Sequence, residues 1–148
     1  MKKFQFRLNS LVRLREAVRD ERRAQLAEAL RIVASLEEEM RQLQVKLDEA
    51  RQMHTAPQGA VDIDRLLVAE RYEMVLLLEK SKFEQQLASM NAEVEKRRQA
   101  LVWADQDVRV LEKLKETQFQ RWRAGAERDA LDHLDEIAGR LRPQETAL

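Results

Sequence analysis

Residues 54–60 read HTAPQGA, and how they are read decides the fold of everything on either side. Pro57 has no amide hydrogen and pushes Ala56 away from helical dihedrals, while Gly59 gives access to positive φ. Such a stretch cannot continue a helix. The chain around it can do little else: Ala, Glu, Lys, Leu and Arg make up 84 of its 148 residues, a share that marks long helices and coiled coils. The break therefore either joins two unrelated segments or folds one helical run back along itself.

Apolar spacing decides between these. Before the break, Ala29, Val33, Leu36, Met40, Leu43, Leu47 and Ala50 recur at alternating steps of four and three. That is the stripe of a helix burying one narrow face against another helix. Leu8, Leu11, Val18, Arg22 and Leu26 carry the face upstream, with a local stutter near Arg22. After the break, Leu87, Met90, Val94, Arg97, Leu101, Ala104, Val108 and Leu111 alternate in the same way. Leu66, Leu67, Met74 and Leu77 are expected to extend this second stripe toward the break, and Leu114, Phe119 and Trp122 to extend it away. Asp62 is placed to cap the second helix, Asp64 lies near the positive end of its dipole, and Val61 and Leu66 have the spacing of a hydrophobic staple.

The fold expected is all-α: two long helices forming an antiparallel coiled-coil hairpin. Helix one covers about 6–53, the turn 54–61, helix two about 62–140 and a short tail 141–148, all in a single coiled-coil domain over 1–148. Gly125 is tolerated inside helix two, and Gly139 and Pro143 are expected to end it. With the turn centred near residue 58, facing residues i and j should satisfy i + j of roughly 116, leaving the last part of helix two without an internal partner. Arg97, a charge at a stripe position, is then expected opposite residues 19–20, meeting Asp20 or Glu16. A parallel homodimer hinged at the break satisfies the same heptads.

Net charge is zero, yet it is distributed in blocks. Residues 1–31 carry nine Lys/Arg against four Asp/Glu, residues 32–95 seven against thirteen, residues 96–128 nine against five, and residues 129–148 two against five. A hairpin brings the two basic blocks together at its open end and puts the acidic block at the turn. Phe4, Phe6, Phe119 and Trp122, four of the seven aromatic residues, gather at the same end. Arginine and aromatics are what interface anchors use, so this end reads as a plug for a partner's socket. The alternative is that Phe119 and Trp122 pack on the N-terminal segment.

Several functions are excluded or weakly supported. Neither a phosphate-binding loop nor a dinucleotide fingerprint occurs, and four Ser and two His are scattered without a nucleophile–base pairing, so no enzyme and no cofactor is expected. There is no Cys, hence no disulfide and no thiolate metal site. Asp129, His133 and Glu136 share a helical face and could ligate a metal, but a solvated face explains them as well. The basic block 1–31 is interleaved with Glu16, Asp20 and Glu21, unlike a nucleic-acid-binding arm, and its heptads favour a protein seam over a membrane surface. No signal peptide or bilayer span is present, since Glu70, Arg71 and Glu73 interrupt LLVAERYEMVLLLEK, and the chain reads as cytoplasmic.

At both ends the chain resembles a known family. FQFRLNSLVRLRE at 4–16 looks like the opening of the flagellar type III export protein FliJ family, VLEKLKE at 110–116 like an internal segment, and LDEIA at 134–138 like its close. That resemblance implies a fold like the two-helix stalk of the rotary ATPase γ subunit. It implies a stalk inserted into the hexameric export ATPase, contact with the cytosolic domain of the membrane export gate, and escort of export chaperones. The location it implies is cytoplasmic, peripheral at the inner membrane. The residues then expected to meet the ATPase ring are Phe4, Phe6, Arg7, Leu8, Arg13, Arg15, Leu111, Lys113, Leu114, Lys115, Phe119 and Trp122. Position alone assigns Met40, Leu43, Leu47, Tyr72, Leu76 and Phe83 to the gate. QFQRWRAGAE at 118–127 departs from the family's more uniformly charged run. Other readings are the equivalent stalk of a virulence secretion system and a structural coiled-coil scaffold without an ATPase.

Overall fold

A computed structural model describes residues 2–54 and 62–142. Helix α1 runs Asn9–His54 and helix α2 runs Ile63–Leu141. The two pack against each other as an all-α hairpin, with no strand among the described residues. Residues 55–61, with Pro57, Gly59 and the Val61 half of the staple, lie outside the described residues, as does Pro143. The Asp62 cap is formed: its Oδ1 accepts the Asp64 amide at 3.1 Å, and its carbonyl accepts the Leu66 amide at 3.1 Å. α1 begins at Asn9, later than expected. Phe6 lies before it, buried, with its carbonyl accepting the Asn9 amide at 3.3 Å. α2 continues through Gly125 and past Gly139 to Leu141.

The contacts divide the chain into a middle unit, residues 20–103, and a terminal unit, residues 1–19 with 104–148. In the middle unit, Leu43, Leu47, Ala50 and Leu76 form one apolar cluster with Phe83 packed on it. Ala29, Val33 and Val94 form another, with Leu26, Leu87 and Met90. All of these α1 residues are ones the heptad spacing selects, and so are Leu87, Met90 and Val94 of α2. The terminal unit buries Phe6, Ala104 and Val108.

Register and the upstream part of the α2 stripe differ from expectation. Arg51 meets Glu73 at 3.1 Å and Lys80 donates to the Gln44 side chain at 3.3 Å, position numbers that sum to 124. Arg97 donates to the Gln25 carbonyl at 2.7 Å, which sums to 122, and so does the Arg15–Asp107 pair of the terminal unit at 3.5 Å. The rule is therefore 122–124 rather than 116, because facing stripes, not the midpoint of the break, set the register. At this register the end of α1 is level with about residue 70, after the start of α2 at Ile63. Leu66, Leu67, Met74 and Leu77 lie off the seam and are exposed. Ala69, Glu73, Leu76, Lys80 and Phe83 occupy the seam instead, continuing the four-three stepping upstream from Leu87 without error. Arg97 is correspondingly opposite Gln25, five residues from the expected Asp20, and its Nε donates to Glu93 of its own helix at 3.0 Å.

Candidate functional site

The terminal unit assembles most of the residues singled out for partner binding. Phe4, in the segment before α1, meets Phe119 edge-on, ring centroids 5.3 Å apart, and lies 5.9 Å from Trp122. Phe119 and Trp122 stack at 6.0 Å on successive turns of α2. These separations are those of favourable aromatic pairs. The trio is thus packing within the unit, as one of the two readings of these residues holds. Its outer edge remains open: Trp122 is 39% exposed. Phe6 is buried and Leu111 half-buried, so both serve the core, whereas Leu8 and Leu114 are partly exposed.

The cations around this edge fall into two kinds. Arg15 is held by Asp107. Arg7, Arg13, Lys113 and Lys115 are exposed and take part in no ion pair among the described residues. An unpaired, solvated charge is the kind that attracts an oppositely charged surface and sets its approach. Spacing alone did not single out Lys2. Its position bounds a groove of about 690 Å³ with Trp122, Gly125, Ala126, Asp129, Ala130 and His133. From Arg121 to Leu141 every side chain of α2 is exposed, among them Leu131, Leu134 and Ile137. Asp129, His133 and Glu136 lie on this stretch, and no group of three His, Asp or Glu suited to a metal ion occurs among the described residues.

The residues assigned to a gate by position are distributed differently. Leu43, Leu47 and Leu76 are buried in the middle unit's seam, Phe83 packs on them and Met40 is half-buried. Tyr72 is the exposed member, and it borders a largely apolar groove of about 560 Å³ with Ala50, Met53, Val68 and Ala69.

Fold and surface together define a class. This is an all-α hairpin that offers exposed faces rather than a pocket of converging reactive groups, and among the described residues no helix is long and apolar enough to cross a membrane. A family model described as flagellar FliJ protein matches residues 4–145, and the chain belongs to that family. The family is non-catalytic and part of the flagellar protein-export apparatus. No curated protein and no solved structure matches the chain.

Proposed function

We propose that this chain is the central stalk and coupling factor of a flagellar export ATPase. Its terminal unit enters the hexameric ring. Its middle unit contacts the cytosolic domain of the membrane export gate through the exposed Tyr72 groove rather than through Leu43, Leu47 or Leu76. It works in the cytoplasm, against the inner membrane, and hands export chaperones to the gate. The observation that carries this reading is the family match over 4–145, joined to a terminal unit whose Arg7, Arg13, Lys113 and Lys115 are exposed and, among the described residues, in no ion pair. A ring interior would meet these cations with carboxylates, and Trp122 with an apolar socket.

The test is to mix the full chain with the export ATPase of the same cell, following ring assembly by light scattering and ATP turnover by phosphate release. The chain should promote assembly and raise turnover, and the increase should shrink as salt shortens the Debye length below about 8 Å. An ATPase indifferent to the chain in both assays would leave it a scaffold.

A further inference from the structure

Two of the aromatic residues expected to meet a partner face inward instead. Residues 3–7 alternate: Lys3, Gln5 and Arg7 are exposed, Phe4 is half-buried and Phe6 is buried. This segment precedes α1, which begins at Asn9, so no helical hydrogen-bond ladder holds it. Its backbone takes part in one hydrogen bond among the described residues, from the Asn9 amide to the Phe6 carbonyl. Side chains do the rest. Phe6 is 4% exposed, and the Phe4 ring sits against Phe119 and Trp122 of α2, centroids 5.3 and 5.9 Å away.

The alternation places each exposed cation beside an anchored aromatic. Lys3 adjoins Phe4 and Arg7 adjoins Phe6, and consecutive Cα atoms are only about 3.8 Å apart. Residues 2–15 hold five Lys/Arg and no Asp/Glu. Of these, Lys2, Lys3 and Arg7 take part in no ion pair among the described residues. A loose chain carrying such charges would have to be ordered as a partner binds, which lowers affinity, whereas a chain already held has lost that freedom beforehand. We propose that Phe4 is a positioning residue for ATPase coupling. Its side chain, seated on Phe119 and Trp122, holds Lys3 and Arg7 where the export ATPase meets them, and does not itself touch the ATPase. This role rests on the stalk reading and deepens it. Replacing Phe4 by Ala leaves every charge in place, so a contact that needs only the charges would not respond to it. One that needs them held would.

The experiment follows ATP turnover by the export ATPase against the concentration of the full-length chain, at several salt concentrations. Phe4→Ala should raise the concentration needed for half-maximal stimulation about tenfold, the equivalent of about 1.4 kcal/mol. Maximal turnover and the salt dependence should not change. Phe4→Tyr keeps an aromatic ring in the seat and should stay within about twofold of wild type. Arg7→Glu, which alters charge rather than position, should flatten the salt dependence. On the free chain, nuclear magnetic resonance should give the Gln5 amide an order parameter of about 0.85 in the wild type and below about 0.6 in Phe4→Ala. Helix content by circular dichroism should be the same in both. Half-maximal stimulation by Phe4→Ala at the wild-type concentration, or a Gln5 amide no more mobile without the Phe4 ring, overturns the proposal. An ATPase indifferent to the wild type is a separate result, which removes the stalk reading and this role with it.

Discussion

The middle and terminal units are built from the same two helices, yet they hold together by different means. In the middle unit a continuous run of Leu, Ala and Val packs across the seam, and Arg51–Glu73, Lys80–Gln44 and Arg97–Gln25 cross it. Those polar links are part-exposed, so each contributes little to stability. Their value lies in register: a slip of one heptad would set Arg97 against Val18 or Ile32 instead of Gln25. In the terminal unit the core thins to Phe6, Ala104 and Val108, then to three aromatic rings, and then α2 continues wholly exposed. Among the described residues, Leu131, Leu134 and Ile137 stay exposed. One region is organised to fix a hairpin, and the other leaves its charged and apolar surface uncommitted.

This contrast can be broken by mutation. The largest effect should come from Leu47→Ala, since Leu47 is fully buried and its truncation leaves a cavity: about 2–5 kcal/mol lost in urea unfolding. Leu131→Ala, at a 61% exposed site, should change stability by less than about 0.5 kcal/mol. If the two cost the same, the terminal unit has a core of its own. Next comes Phe4→Ala, which removes two aromatic contacts and should cost about 1–2 kcal/mol. Read in a Trp103→Phe background, the Trp122 fluorescence should shift to the red as the ring loses its cover.

Smaller effects sharpen the comparison. An added Cβ at Gly125 meets nothing within 4 Å, so Gly125→Ala should stabilise α2 by up to about 1 kcal/mol, seen as a higher melting temperature. The smallest effect belongs to Glu38. Hydrogen bonding to Arg41, reinforced by that residue's charge, holds its carboxyl below the ordinary carboxylate range. A lowered folded value means that its contribution is present above the unfolded pKa and is lost as pH falls through the folded one. The pair is exposed, so wild type and Glu38→Gln should converge only slightly in melting temperature between pH 7 and pH 3.

Much of this was legible in the residues themselves. The four-three spacing from Ala29 to Ala50 and from Leu87 to Leu111 names the seam, and Pro57 with Gly59 names the break. The register was not, because counting from the break's midpoint assumes that both helices start level, whereas α2 extends past the end of α1. The α2 stripe was misread between 66 and 77 for a related reason. Four large apolar residues there drew attention from Glu73 and Lys80, polar residues that hold seam positions by bonding across to α1. Strict stepping upstream from Leu87 finds them. The surface was legible in part: basic blocks and aromatics pick out the terminal unit, but spacing cannot tell that Arg15 pairs with Asp107 while Arg7 and Arg13 form no ion pair among the described residues.

The most direct test of the account reverses charge in each unit separately and reads the turnover of the export ATPase. One variant carries Arg7→Glu and Arg13→Glu in the terminal unit. The other carries Arg31→Glu and Lys46→Glu on exposed faces of the middle unit. Both must keep wild-type helix content by circular dichroism before turnover is compared. The terminal-unit variant should lose its stimulation of ATP hydrolysis, and the middle-unit variant should retain it. Stimulation that survives reversal in the terminal unit and vanishes with reversal in the middle unit would contradict the account.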